Sequence, residues 1–232
     1  MKTTQKGVLL GFLLTAAAVG SVPAADFGTF NNIISPGNIL ISGSFGLGAF
    51  YPVMLSTKDS TLLGGALAVD YALPFAALTV GGEIGFSNAP LKSSAGSDPK
   101  LSVGLIPILL RVGYHPNLDV RNLDVYILGK VGYGFGFWSG DDYEKDEATH
   151  PHGFVYGVDI GARYFFGQRF GVFAEVGYEH YYLDYEYNLG AELGKLKWSA
   201  YANKFLTLGI TIKLGDNNNN RTQADDEFTY DL

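Results

Sequence analysis

The chain of 232 residues is 47% hydrophobic but only 17% charged, and it contains 31 Gly, 15 Tyr, 16 Phe and no Cys. The formal charge of −7 argues against a nucleic-acid partner, and the lack of Cys removes disulfides, thiolate metal sites and thiol catalysis. The charged share lies below the roughly 25–35% of a soluble surface, yet beyond residue 20 no stretch stays apolar for the ~20 residues of a membrane helix.

The N-terminus has the layout of a secretion leader. Lys2 and Lys6 precede an apolar or small run over residues 7–19, and Ser21, Val22, Pro23 and Ala24 supply a small-residue cleavage site. Cleavage is expected after Ala24, with Ala25 as second choice. Residues 1–24 are then the leader and residues 25–37 a lead-in to the folded domain. No Cys follows the site, which argues against a lipid-anchored N-terminus.

From residue 38 onward the residues alternate with the period of two that marks strands. The first segment, residues 38–51, sets Ile39, Ile41, Phe45, Leu47 and Tyr51 against Ser42, Ser44, Gly46 and Gly48. The second, residues 62–73, sets Leu63, Leu67, Val69 and Tyr71 against Gly64, Ala66, Ala68 and Asp70. The third, residues 77–87, opposes Leu78, Val80, Ile84 and Phe86 to Thr79, Gly81, Glu83 and Gly85. In the fourth, residues 101–114, Ile106, Ile108, Leu110, Val112 and Tyr114 oppose Pro107, Arg111 and Gly113. Residues 101–105 fall out of phase, which predicts a bulge near Leu105.

The fifth segment, residues 123–138, alternates Val125, Ile127, Val131, Tyr133, Phe135 and Phe137 with Asp124, Tyr126, Lys130, Gly132, Gly134 and Gly136. The sixth, residues 153–166, alternates Phe154, Tyr156, Val158, Ile160 and Tyr164 with Gly157, Asp159, Gly161 and Arg163. In the seventh, residues 170–183, Val172, Ala174, Val176 and Tyr178 oppose Phe173, Glu175, Gly177 and Glu179. The eighth, about residues 203–214, places Leu206, Leu208, Ile210, Ile212 and Leu214 opposite Phe205, Thr207, Gly209, Thr211 and Lys213.

The connections alternate as well. Long polar links cover residues 52–61, 88–100, 139–152 and 184–202, while tight turns fall around Pro74 and at Gly167, Gln168 and Arg169. The link over residues 115–122 is intermediate. Short periplasmic turns and longer outer loops are the layout of a transmembrane barrel, and an even strand count returns both barrel ends to the periplasmic side.

Size decides which face meets lipid. An eight-stranded barrel has an interior just wide enough for side chains to fill. Eight sets of large apolar residues would overfill it, and the opposite face is too poor in charge to keep a soluble barrel in solution. The expected fold is therefore all-β, an eight-stranded antiparallel up-and-down transmembrane β-barrel over residues 38–214 with its apolar face outward. Twelve residues at ~3.3 Å rise and ~40° tilt span about 30 Å, enough for an apolar belt of ~25 Å. Closure leaves no backbone group unpaired in lipid. Tyr51, Tyr71, Phe86, Tyr114, Phe137 and Tyr178 fall near outward strand ends as candidates for interfacial aromatic girdles.

Asp70, Glu83, Arg111, Asp124, Lys130, Asp159, Arg163, Glu175, Glu179 and Lys213 all fall on the inward face. Buried charge requires pairing, and both signs are present. The reading favoured is a lumen polar network of ion pairs that plugs the barrel, ahead of a binding or conduction path. No catalytic residue, metal site or cofactor is predicted, because no phosphate loop, dinucleotide fingerprint or zinc motif occurs. Gly132, Gly134 and Gly136 fall mid-strand, where they make room in the lumen. His150 and His152 beside Asp141, Asp142, Glu144, Asp146 and Glu147 read as a solvated acidic loop.

The leader, the eight strands and two segments, Pro107-Ile108-Leu109-Leu110-Arg111-Val112-Gly113-Tyr114-His115-Pro116 and Phe173-Ala174-Glu175-Val176-Gly177-Tyr178, resemble the small eight-stranded outer-membrane β-barrel superfamily of OmpX-like, OmpW-like and opacity-type proteins. The resemblance covers residues 38–214. It implies a place in the bacterial outer membrane, with outer-membrane lipids and the barrel-assembly machinery as partners. The superfamily includes adhesins, stress-induced barrels and carriers of small hydrophobic solutes. Lipid A deacylases, an enzyme class on small barrels, carry His-x-Ser on a late strand; here Glu179-His180-Tyr181-Tyr182 puts Tyr in the place of Ser, so no enzyme is expected. Members usually end in an aromatic residue that closes the last strand. Here residues 215–232 follow, with Asp225, Asp226, Glu227 and Asp231, and read as an acidic periplasmic tail in which Phe228, Tyr230 and Leu232 form a displaced assembly signal. The expected function is structural or surface-interacting, with outer loops meeting host or environmental ligands. The alternative is a narrow transporter or channel for small solutes.

Overall fold

The computed structural model describes residues 33–52, 57–58, 60–74, 76–90, 92–93, 101–118, 120–140, 150–188 and 193–215. The leader, the acids of residues 141–149, and Phe228, Tyr230 and Leu232 lie outside these. The strands are β1 (Ile39–Pro52), β2 (Thr57–Lys58), β3 (Ser60–Ala72), β4 (Leu78–Pro90), β5 (Lys92–Ser93), β6 (Leu101–Tyr114), β7 (Leu123–Gly140), β8 (His152–Phe166), β9 (Phe170–Asn188) and β10 (Leu193–Leu214). The eight long strands close into a barrel in the order β1-β10-β9-β8-β7-β6-β4-β3, and every neighbour is antiparallel. β2 and β5 form a separate two-stranded sheet between two of the connections.

At the end that holds Ile39 and Leu214, β3–β4 and β8–β9 are joined by tight turns and β6–β7 by the longer link over residues 115–122. Gly167 takes φ +76° between β8 and β9, and Asn122 takes φ 63° before β7. Gly and Asn tolerate this left-handed backbone better than other residues. In transmembrane barrels short turns mark the periplasmic end and longer connections the outer end, and the two ends take those names by that rule.

The period-two pattern sorts the side chains as chemistry demands. Phe45, Leu67, Ile84, Leu110, Ile127, Ile160, Val176 and Ile210, one from each long strand, point outward and are 45–69% exposed. Soluble monomers rarely show one contiguous apolar patch beyond about 300–600 Å², and this belt runs around the whole barrel. Among the described residues no helix is long and apolar enough to cross a membrane; the strands cross it.

Three sequence expectations need correction. β6 pairs with β4 and β7 in one register, with Ile84 opposite Ile108 and Ser87 opposite Leu105, so no bulge sits at Leu105. Val103 and Leu105 point inward in phase with Leu109 and Arg111. The apparent phase change reflects an interior that turns from charged to apolar toward the outer end. The bulge lies on β10 instead. Leu47 pairs with Leu206 and Gly48 with Lys204, and the register with β9 slips between Lys204 and Thr207. Phe205 and Leu206 consequently both face outward, 56% and 40% exposed, although alternation placed Phe205 inside. Finally, the link expected over residues 184–202 is largely strand, since β9 runs to Asn188 and β10 starts at Leu193.

Candidate functional site

The barrel interior is built in three layers. The outer layer is apolar: Phe50, Leu62, Val103, Leu105, Leu109, Val155, Tyr181 and Leu183 pack across the lumen, with Trp138 against them. The periplasmic layer is apolar too. There the segment before β1 folds under the barrel, and Ile33 and Ile34 pack against Leu40, Ala72, Ala77 and Phe165. Asn38 holds that segment in a turn, its backbone N–H donating to the Ser35 carbonyl at 3.0 Å and its Oδ1 accepting from the Ser35 N–H at 2.8 Å.

Between the two lids lies the charged layer. Glu83 on β4 accepts from Arg111 of β6 at 2.8 Å and from Lys130 of β7 at 2.8 Å. Arg111 also meets Asp70 of β3 at 3.2 Å. Lys130 is paired with Asp159 of β8 and lies 4.0 Å from Glu179 of β9. Glu179 is bonded to Lys204 of β10 and accepts from the Tyr181 hydroxyl. Seven strands meet here, β3, β4, β6, β7, β8 and β9 with β10 at the margin, and the network's side chains other than Lys204 are at most 5% exposed.

A second cluster sits nearer the periplasm. Asp124 bonds His115 Nδ1 at 2.8 Å through one oxygen and accepts from Arg163 at 3.2 Å through the other. His115 Nε2 shares a hydrogen bond with Thr79 Oγ1 at 3.0 Å. Arg163 stacks over the Tyr126 ring at 4.8 Å, and the Tyr126 hydroxyl donates to Glu175 at 2.9 Å. Thr79, His115 and Asp124 have the order of a nucleophile, base and acid, but all three are 0–1% exposed. A hydroxyl so enclosed meets no substrate, so the trio acts as a brace. Lys213 donates to the Ile33 carbonyl and lies 5.9 Å from the Phe165 ring, tying β10 to the periplasmic lid.

The structure places Asp70, Glu83, Arg111, Lys130, Asp159 and Glu179 in the larger cluster, Asp124, Arg163 and Glu175 in the smaller one, and Lys213 at the lid. Sequence reasoning missed Lys204, Thr79 and His115 as members, and Tyr126 and Tyr181 as their hydrogen-bonding partners. His115 was within reach: alternation continued one residue past Tyr114 puts it inward with Arg111 and Gly113. Lys204 was not, because counting back from Leu206 assigns it to lipid, and only the bulge turns it inward. His152 faces out, sharing a 2.7 Å hydrogen bond with the Tyr133 hydroxyl.

A cavity of about 40 Å³ lies among Glu83, Ser87, Glu179, Lys204 and Thr207. At roughly 10–15 Å³ for each water it holds about three. The space adjoins the buried charges of Glu83, Glu179 and Lys204 between the two apolar layers.

No family model matches the chain, and no curated protein matches it. Solved structures do. Neisserial surface protein A superimposes with a TM-score of 0.51 at 9% identity, covering 77% of this chain and 99% of that one. The attachment invasion locus protein Ail of Yersinia pestis gives 0.46 at 15% identity over 77% and 99%. Outer membrane protein AlkL gives 0.47 at 16% identity over 84% and 96%. The first likeness establishes the fold as that of the small outer-membrane barrels. The apolar belt around the barrel is the surface expected of a barrel that lies in lipid.

Proposed function

We propose that this protein is a sealed outer-membrane barrel that acts as a surface-interaction scaffold, carrying its outer segments to external ligands. The observation that carries this reading is the β9–β10 hairpin. β8 stops pairing with β9 at the rung His152–Asp184, and β1 stops pairing with β10 at Pro52–Ala200. The hairpin continues to the rung Asn188–Leu193. Seven residues of β10, about 23 Å of strand at ~3.3 Å each, therefore extend beyond β1. Among the described residues neither edge of this ribbon has a strand partner. A bare strand edge is a template for association, and keeping one at the outer end, where lipid does not need it closed, suits contact rather than closure.

The filled lumen supports the same reading over the transporter. Replacing residues 186–195 with a two-residue Asn-Gly turn is expected to abolish adhesion of expressing cells to immobilised extracellular matrix, while the purified barrel keeps its heat-dependent gel mobility. The intact protein should give no stable conductance in planar bilayers. Unchanged adhesion of the shortened protein, or regular channel openings, would overturn the proposal.

A further inference from the structure

The outward face of β8, β9 and β10 carries a cluster near its outer end that differs from the aliphatic belt below it. The His180 ring stacks on Tyr182 at 4.5 Å and 10°, and packs against Tyr201 at 4.3 Å and Tyr156 at 5.1 Å. The Tyr156 hydroxyl and His180 Nδ1 share a 2.9 Å hydrogen bond. Tyr178 adjoins Tyr201 at 5.8 Å, and Asn203 pairs across from Tyr178 on the same face. His180 is only 2% exposed at an outward position, while Tyr182 is 41% exposed. The histidine thus fixes the tyrosine rings into one preorganised surface.

Height limits what can reach this surface. His180 lies ten residues above Phe170 on β9, about 25 Å along the membrane normal for a tilted strand, which is the top of an apolar belt ~25 Å tall. Only the head of an outer-leaflet lipid, or a second barrel, meets a lateral face at that level. Chemistry narrows the choice. An anionic phosphate calls for Arg or Lys, and the bulge has turned Lys204 away into the lumen, bonded to Glu179. Asp184, exposed two residues beyond Tyr182 on the same face, pairs across from Lys197, so that rung carries one charge of each sign and no net charge to draw a phosphate. What the face offers is ring area with hydroxyls and an amide at its margin. That suits a neutral pyranose, whose C–H face stacks on aromatic rings while its hydroxyls hydrogen-bond.

We infer that the Tyr156–Tyr178–His180–Tyr182–Tyr201 rim is a docking site for the neutral sugar of an outer-leaflet glycolipid. The site is independent of the projecting ribbon, so either assignment can fail alone.

The test uses the mature chain in dimyristoylphosphatidylcholine nanodiscs, into which monoglucosyl diacylglycerol or phosphatidic acid of matched acyl chains is titrated. Aromatic-ring NMR signals of Tyr182, Tyr201 and His180 are expected to shift saturably with the glucolipid and not with the phosphatidic acid. The double variant Tyr182→Leu/Tyr201→Leu should weaken glucolipid binding about tenfold or more. The corresponding Tyr164→Leu/Phe166→Leu change on the periplasmic rim should leave it unaltered. Equal shifts with both lipids would reduce the cluster to an ordinary interfacial girdle and overturn the inference. Shifts that follow the number of barrels per disc would overturn it in favour of a second copy, and no shift at all would also refute it. If the double variant fails to assemble, the wild-type titration decides alone.

Discussion

Replacing Lys130 by Met removes the cation at the centre of the lumen while keeping most of its volume. Lys130 faces Glu83 at 2.8 Å, is paired with Asp159, and lies 4.0 Å from Glu179. At an effective dielectric of about 20, a single unit-charge pair at 2.8 Å is worth about 6 kcal/mol before desolvation. The variant leaves Asp159 without that partner and Glu83 with Arg111 alone. Breaking a buried pair by removing one member typically costs about 3–5 kcal/mol, and that is the stability loss expected here. Glu83→Gln should cost less, because Lys130 retains two carboxylates. The double variant should cost less than the two single losses combined, since removing the Glu83 charge relieves part of the stranding that the Lys130→Met change causes. Urea unfolding in lipid vesicles, followed by tryptophan fluorescence and by heat-dependent gel mobility, measures each loss. A Lys130→Met loss below about 1 kcal/mol would refute the claim that pairing holds the lumen charges.

Two further outcomes follow from the same geometry. Leu110→Arg puts a cation on an outward position 69% exposed and near mid-belt; about 2–4 kcal/mol of stability should be lost in vesicles, whereas a neutral or solubilising effect would mean that this face does not meet lipid. Gly81→Ala should cost about 1–3 kcal/mol by the same unfolding assay, because an added Cβ would lie 2.1 Å from the Val69 carbonyl and 2.3 Å from an Asp70 oxygen; wild-type stability would show that β3 and β4 have slack there.

Most of the barrel was legible because period two carries one bit per residue and lipid reads it. Ile84 against Glu83, or Ile160 against Asp159, needs no tertiary knowledge. Two kinds of feature escaped. A bulge inverts the phase of everything on one side of it, and Phe205 and Leu206 carry no local mark, such as Gly or Pro, of the extra residue. The apolar lids escaped for another reason. Val103 and Leu105 look like lipid-facing residues, although unbroken alternation back from Arg111 through Leu109 already turns them inward. Phe50 and Leu62 were legible in principle, since each breaks the small-residue pattern of its inward face near the outer end. The network's membership was partly visible, but which acid meets which base depends on barrel stagger, which alternation does not encode.

The inward glycines explain how so narrow a cylinder holds so many large side chains. Lys130 pairs across from Gly157, Tyr126 from Gly161, Asp159 from Gly177, Phe173 from Gly209, and Arg111 from Gly81. A Cβ added at Gly161 would fall 2.6 Å from the Tyr126 ring, and one at Gly209 would fall 2.3 Å from that of Phe173. Each of these five side chains therefore lies over a position on its neighbour that carries no side chain. Interiors packed this way yield little to local change. Charge enclosed between apolar lids also sits in a low dielectric, where a satisfied network rigidifies and an unsatisfied one is costly. A lumen under both constraints has little freedom to rearrange. The freedom that remains lies in the segments above the membrane and on the outer rim, where chemistry can vary without disturbing the cylinder beneath.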